Sequence, residues 1–242
     1  MTIARKLHPL KGERDFEWRS GNPSRVEALT DMVFAFALTL LVVSNTPPNT
    51  FAELTDQLWG FPGFAAAFAI LLLLWHSHYI FFRRYALEDG VTTILNAALL
   101  FLVLFFVYPL KYLATQFSLF LRSVFEAAPR APMTLDDAQN ALAILSAGYV
   151  AVFLMMTALY MRALSKRDQL DLSAREQQLT RLGYAQHGIQ AFVGALVLVG
   201  TLLIPMPWSP FAGFFFFLIG PLSFIAGATL APTPKRSPKP SM

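Results

Sequence analysis

The sequence predicts an all-α membrane protein with six transmembrane helices per subunit. Hydrophobic residues make up 55% of the 242-residue chain and charged residues only 14%, whereas a soluble domain is about a quarter charged. The apolar residues also fall into six runs that approach the roughly 20 residues needed to cross the hydrocarbon core of a bilayer. Composition and run length together therefore indicate a multi-pass protein in contact with lipid.

The six predicted spans are separated by segments rich in Pro, Gly or charge. NTPPNT ends the first span, GFPG precedes the second, and PMPWSP lies between the fifth and the sixth. The spans cover approximately residues 26–45, 61–82, 92–114, 138–161, 188–204 and 211–230. With no long internal repeat visible, they are predicted to form one domain over residues 25–231, between an N-terminal arm (1–24) and a basic, Pro-rich tail (232–242).

The distribution of basic residues orients the predicted spans. Of the 19 Lys and Arg, only Lys111, Arg122 and Arg130 fall on the side opposite the two termini. Because basic residues concentrate on the cytoplasmic side of membrane proteins, we expect a plasma-membrane protein with both termini cytoplasmic. The charged connection SKRDQLDLSAREQQLTRLGY, between the fourth and fifth spans, is interpreted as an amphipathic segment at that surface.

The composition also argues against several classes of function. The chain contains no Cys and four His, and the patterns HExxH, GxSxG and the P-loop are absent from its sequence. His76 and His78 are two residues apart, about 200° around a helix, so they cannot both ligate one ion. We therefore expect no enzyme activity, no cofactor, no resident metal and no nucleic-acid partner.

Asp31 is a charged residue inside the first predicted span, and its position there needs an explanation. Ser24 or Asn22 is predicted to cap this helix, and the cap and helix dipole account for an acid in the first turn at Glu27. Asp31 lies one turn deeper, where a charge costs roughly 3 kcal/mol on insertion scales. It is therefore expected to have polar partners on neighbouring helices.

Candidate partners lie at the end of the second span and the start of the third. LLLLWHSHYIFFRR offers Trp75, His76 and His78, and TTILNAALLF offers Asn96. One histidine, together with Trp75 or Asn96, is predicted to form hydrogen bonds across the helices to the first span, as polar groups in transmembrane helices commonly do.

The other side of the first span is apolar. At about 100° per residue, the positions that share this side are Leu29, Met32, Phe36, Leu40 and Val43, with Thr39 at the edge. Such a stripe either faces lipid, or faces its symmetry mates in a cyclic oligomer and lines a pore that apolar side chains can close by dewetting.

The first 115 or so residues resemble the transmembrane protein 175 family of potassium channels, in particular its six-span bacterial members. The family motif places Arg, three residues, then Phe-Ser-Asp before an apolar run. Arg25 and Asp31 match, Leu29 and Thr30 replace the Phe and Ser, and VFAFALTLLV continues the match. Further matching positions are Trp75, His78, Asn96 and Pro109, with Tyr79 where a second His is usual.

The resemblance implies a homotetramer whose central pore is lined by four copies of the first helix. It implies a leaky, potassium-selective channel without a TVGYG-type filter, with K⁺ as the permeant ion and no cofactor. By this resemblance the pore-lining residues are Phe36 at the constriction, with Thr39, Leu40 and Val43. The structural motif network is Arg25, Asp31, Trp75, His78 and Asn96. Because the family usually has an aliphatic residue at the constriction, Phe36 either seals the pore more tightly or presents ring faces to a cation.

Two other classes of function are weighed against this interpretation. A proton-coupled secondary transporter would use Asp31 and His78 as a relay, but no inverted three-plus-three repeat is visible. An intramembrane enzyme would need a recognisable catalytic motif, which the sequence lacks. Both classes are disfavoured by sequence pattern alone.

Overall fold

In a computed structural model of the chain, the described residues are 16–19, 21, 23–42, 47–126 and 133–231, and every regular element among them is helical. The tail, most of the N-terminal arm and Val43 therefore lie outside the described residues. The helices are α1 (Arg25–Val42), α2 (Phe51–Leu58), α3 (Phe61–Tyr85), α4 (Gly90–Phe125), α5 (Leu135–Ser165), α6 (Ala174–Leu203) and α7 (Ile219–Leu230), with a 3₁₀ helix (Ser209–Leu218) directly before α7.

Five helical segments among the described residues are long and apolar enough to cross a membrane, one fewer than the six spans predicted. They are α3, α4, α5, α6 and the 3₁₀ helix taken together with α7. The remaining predicted span corresponds to α1, whose 18 residues include Arg25, Glu27 and Asp31. These three charges make α1 too polar to be identified as a span by length and composition alone.

Several helices extend beyond the spans predicted from hydropathy. α4 continues to Phe125, and α6 begins at Ala174, far before the predicted fifth span. At the start of α6 the Ser173 side chain accepts a hydrogen bond from the Glu176 backbone, and the Glu176 side chain accepts one from the Ser173 backbone. This capping box starts a continuous helix, so the second half of the predicted surface segment belongs to a long helix that reaches the apolar region.

Two further elements were not predicted. α2 forms inside the loop that follows the first span, where the Thr50 side chain accepts a hydrogen bond from the Glu53 backbone. The sixth predicted span divides into the 3₁₀ helix and α7. The run of four Phe at positions 214–217, which hydropathy assigns to the sixth span, lies entirely in the 3₁₀ part.

The helices pack in a continuous series along the chain. α1 packs on α3 and α4, α4 packs on α5, and α5 and α6 form an extensive pair that also contacts the 3₁₀ helix and α7. α3 and α4 approach very closely at Gly63, whose backbone N–H donates to Ser118 Oγ over 2.9 Å. A Cβ on Gly63 would lie only 1.9 Å from the Ala114 carbonyl oxygen, so glycine sets the crossing of α3 and α4 and hence the surface on which α1 rests.

Candidate functional site

α1 begins at a cap formed by Ser24 and Glu27. The Glu27 backbone N–H donates to Ser24 Oγ over 3.1 Å, and the Ser24 backbone N–H donates to Glu27 Oε2 over 2.7 Å. Glu27 is 8% exposed, so the carboxylate is held at the positive end of the helix by the backbone groups that need acceptors there. Of the two caps considered from the sequence, Ser24 performs this role, and Asn22 lies outside the described residues.

One side of α1 is buried against α3 and α4, and we call it the covered face. Phe34 is 2% exposed and Ala37 is fully buried. These side chains recur every three or four residues, the spacing of one side of a helix. The buried residues of α1 that make up the covered face are Glu27, Thr30, Phe34, Ala37 and Leu41.

A chain of three polar side chains crosses the helices beneath the covered face. His78 Nε2 lies 2.6 Å from Asn96 Oδ1, and Asn96 Nδ2 donates to Thr30 Oγ1 over 3.1 Å. The Thr30 hydroxyl in turn donates to the Val26 carbonyl over 2.8 Å. Because the Asn96 amide nitrogen is used toward Thr30, its oxygen accepts, and this assigns a proton to His78 Nε2. All three side chains are buried.

Asp31 accepts a hydrogen bond from a different residue. Trp75 Nε1 donates to Asp31 Oδ1 over 2.8 Å. The structure thus brings Asp31 and Trp75 together as one pair, and His78 and Asn96 together as another. Asp31 itself is exposed in the single subunit, and Arg25 lies on the exposed side of α1 with no hydrogen bond to either pair among the described residues.

A small cavity of about 20 Å³ lies between the two pairs. Glu27, Asp31 and His78 line it together with Arg83 and three other residues. A cavity of this volume holds about one water molecule.

The opposite side of α1 has no neighbour among the described residues of the subunit, and we call it the uncovered face. Leu29 is 54% exposed, Met32 67% and Phe36 56%. Thr39, on the same side, is exposed, and its hydroxyl donates to the Ala35 carbonyl over 2.9 Å. The uncovered face consists of Leu29, Met32, Phe36 and Thr39. Leu40 is half-buried and packs against the core instead, while Val43 lies outside the described residues.

The far end of α1 is held by a lysine that the sequence did not single out as a partner of this helix. Lys111 Nζ of α4 donates to the Leu41 carbonyl over 2.9 Å. The last carbonyls of a helix have no partner within the helix, and a cation near them is favourable. The signal in the sequence was a single lysine inside an otherwise apolar predicted span.

The chain just before α1 is attached to the ends of α3 and α6. Phe16 is 2% exposed and packs edge-on against Tyr85, with ring centroids 5.4 Å apart. The Arg19 guanidinium donates to Glu176 Oε1 over 3.0 Å, and the Arg19 backbone N–H donates to the Arg83 carbonyl over 3.1 Å. α1 is therefore anchored before its first residue, along its covered face and at its last turn.

The described residues contain no group of three or more His, Asp or Glu side chains placed to hold a metal ion. The uncovered face of α1 offers apolar side chains and the Thr39 hydroxyl, and the rest of the helix takes part in hydrogen-bonded polar pairs. Such groups can close, open or line an aqueous path, since hydrophobic constrictions gate by dewetting.

Comparison with known proteins identifies relatives over most of the chain. Residues 25–106 match the family described as endosomal/lysosomal potassium channel TMEM175. The chain is 34% identical to a protein named potassium channel from Marivirga tractuosa, over 88% of this chain and 90% of the relative. It is 35% identical to potassium channel Cha6605_3372 from Chamaesiphon minutus, over 37% of this chain and 48% of the relative.

A solved structure extends this similarity to the fold. A crystal structure of a threonine-to-alanine variant of the potassium channel MtTMEM175, in complex with a nanobody–MBP fusion protein, superposes with a TM-score of 0.81 at 32% sequence identity. The match covers 88% of this chain and 95% of that chain. The family is one of membrane channels and not of enzymes, as the sequence predicted. On these similarities, the chain belongs to the TMEM175 family.

Proposed function

We propose that this chain is a potassium-selective, leaky cation channel that assembles as a homotetramer around the uncovered face of α1. The observation that carries the proposal is that one face of α1 is fixed to its own subunit while the other is apolar and has no neighbour within it. Four such faces around a shared axis would cover each other and enclose a path. The names of the relatives support potassium as the permeant ion.

In this proposal α1 also crosses the membrane, which brings the number of membrane-spanning segments from five to six. A helix of 18 residues is about 27 Å long at 1.5 Å per residue, close to the roughly 30 Å hydrocarbon core. Its three charged residues, Arg25, Glu27 and Asp31, all lie in the first two turns, near one membrane surface. With α1 included, the distribution of basic residues favours cytoplasmic positions for both termini, and we propose the plasma membrane as the location.

Phe36 forms the constriction in the proposed pore, and Thr39 lies about one turn further along the same face. A ring of four phenyl groups excludes water when closed and conducts when the rings turn aside. The Thr39 hydroxyl donates a hydrogen bond to the Ala35 carbonyl. The lone pairs of the hydroxyl oxygen are therefore able to face a partly dehydrated cation. Val43 would line the next turn, and Leu40 contributes from the edge.

The test is potassium flux into proteoliposomes, with sodium as the competing ion, for the variant Phe36→Ala. We expect flux to rise and discrimination against sodium to fall, because the largest apolar side chain of the uncovered face is removed. Phe101→Ala is the matched control: Phe101 is 70% exposed on α4 and lies outside the proposed pore, so its truncation should leave flux unchanged. Unchanged flux and selectivity for Phe36→Ala in a folded oligomer would refute the proposed constriction.

A proton-coupled transporter is the second candidate, and the small cavity shared by Glu27, Asp31 and His78 is the observation in its favour. A single water there would connect the Asp31 carboxylate to His78. Against a relay, Asp31 already accepts from Trp75, and His78 Nε2 is already bonded to Asn96. Saturating, proton-dependent potassium transport would favour the transporter, whereas a voltage-driven current that does not saturate would favour the channel.

A further inference from the structure

A second cavity, of about 220 Å³, lies away from α1, between the last turns of α3 and the first half of α6. None of the ten residues that line it is acidic. Six of them carry polar or charged groups that can donate hydrogen bonds: His76, Ser77, Arg84, Tyr160, Gln186 and His187.

The cavity lies at the basic end of the helices. Arg83 and Arg84 form the last turn of α3, and Arg175 and Arg181 lie in the first turns of α6. Another cavity of the molecule, of about 570 Å³, contains Arg122, but Asp56 lines it as well and is paired with that arginine over 2.8 Å. An anion is therefore favoured between α3 and α6 and disfavoured in the larger cavity.

The shape of this cavity depends on two specific contacts. A Cβ on Gly183 would lie 2.3 Å from Tyr160 Cε1, so only glycine lets the tyrosine ring reach the wall from α5. The Arg84 guanidinium stacks over the Phe16 ring, with Cζ 5.0 Å from the ring centroid. This contact restricts the guanidinium, and a guanidinium held in place is the group that recognises phosphate oxygens most specifically.

The mouth of the cavity lies beside an exposed apolar surface of α3. His76 and Gln186 are exposed at its mouth. Leu73, 68% exposed, lies one turn from Ser77 on the same side of α3, toward the middle of the membrane. A ligand with a phosphate at one end and an acyl chain at the other would place the phosphate near Arg84 and the chain along Leu73.

We propose that this cavity binds the headgroup of an anionic phospholipid. Basic pockets between transmembrane helices bind such headgroups, and the cavity combines a positioned guanidinium, neutral donors and an adjoining apolar surface. Because Phe16 belongs to the chain segment that leads into α1, the bound lipid would contact, through Arg84, the anchor of that helix. The proposal concerns binding and does not depend on what the protein conducts.

The experiment is native mass spectrometry of the purified full chain, with phosphatidylglycerol and phosphatidylcholine added at equal concentration. We expect more phosphatidylglycerol than phosphatidylcholine to be retained. Arg84→Gln should lower this retention about fivefold, the effect of removing one basic residue at an anionic surface. Gln186→Trp, a substitution at an exposed position that fills the mouth, should lower it without removing charge.

Two controls make the proposal falsifiable. Arg181→Gln removes a charge from the exposed side of α6 outside the cavity and should lower retention much less than Arg84→Gln does. Inorganic phosphate at millimolar concentration should not displace the lipid; displacement would identify a site for free phosphate and overturn the lipid assignment. Equal retention of the two lipids, or equal losses for Arg181→Gln and Arg84→Gln, would show adsorption by bulk surface charge and would also overturn it.

Discussion

The two faces of α1 differ in what covers them. The covered face contacts α3 and α4 and includes the hydrogen bond from Asn96 to Thr30, whereas Leu29, Met32 and Phe36 of the uncovered face are more than half exposed in the subunit. Packing within the subunit therefore explains the residues of the covered face but not those of the uncovered face. The apolar character of the second face needs another cause, which we propose is contact with other copies of α1 around a pore.

The largest loss of stability is expected for Asn96→Ala. This change leaves His78 and Thr30 without their buried partner, and an unsatisfied buried polar group costs about 1–3 kcal/mol. We expect a decrease of about 2 kcal/mol in the free energy of unfolding, measured as a lower melting temperature of the purified protein. The matched control is Thr93→Ala, an exposed position on the same helix, which should change stability by less than about 0.5 kcal/mol. If the two variants have the same melting temperature, the covered face is not held by this network.

A smaller loss is expected for Asp31→Ala, which removes the acceptor of the Trp75 N–H. Asp31 is exposed in the subunit, so we expect about 1 kcal/mol, with ion preference unchanged because the carboxylate lies off the uncovered face. Asp31→Asn keeps an acceptor oxygen and should retain most of the stability. A stable, normally assembled Asp31→Ala protein with altered selectivity would move this residue into the pore and contradict the division into two faces.

A still smaller, pH-dependent contribution comes from Asp89, which caps the helix that carries Asn96. Burial alone raises the pKa of the Asp89 carboxyl, but hydrogen bonds from Arg162 and Thr92 bring it below its ordinary value of 3.8. Stability from this group is therefore complete above about pH 4 and is lost as the pH falls through the lower, folded-state value.

Asp89→Asn keeps the cap but removes the ion pair with Arg162, whose nitrogen lies 3.0 Å from Asp89 Oδ1. We expect a loss of about 0.5 kcal/mol at neutral pH, typical of a partly exposed pair. Thermal melting between about pH 5 and pH 3 should decline more steeply for the natural protein than for this variant. Parallel curves would show that the Asp89 carboxylate adds nothing to the anchoring of α4.

The smallest change in stability is expected for Thr39→Cys on the uncovered face, below about 0.5 kcal/mol. Because the chain contains no cysteine, this thiol would be the single target of a water-soluble thiol reagent. We expect modification to block potassium flux, whereas Ala37→Cys on the covered face should stay unreactive. A Thr39→Cys protein that conducts normally after complete modification would place this face outside the pore.

Polar residues were the most predictable part of the site. Trp75, His78, Asn96 and Asp31 stand out because polar groups in apolar segments need partners, and each has a partner in the structure. The pairing itself was not predictable, since helical phase leaves several donors within reach of Asp31. Thr30 entered only through the family resemblance, because a threonine in an apolar helix can satisfy its own hydroxyl with a backbone carbonyl.

The fold was less predictable at the ends of helices than in their centres. Hydropathy detects the segment that crosses lipid, but the helix continues as long as its backbone hydrogen bonds and caps allow. α6 therefore starts at a capping box that lies outside the predicted span, and α2 forms in a predicted loop. Leu40 was assigned to the uncovered side by an ideal helical period, yet it is half-buried, since a wide contact with the core includes positions at the edge of the apolar stripe.

The attachment of α1 at both ends limits how a gate on it can work. Arg19 is paired with Glu176 before the helix, and Lys111 donates a hydrogen bond to the Leu41 carbonyl at its last turn. α1 therefore has little freedom to tilt or slide as a rigid body. Changes in the radius of the proposed pore would then come from rotation of individual side chains, such as Phe36, about χ1 and χ2. Rotamer changes of exposed side chains take picoseconds to nanoseconds, too fast to appear as separate events in a current trace, so we expect a steady single-channel current without long, well-separated closures.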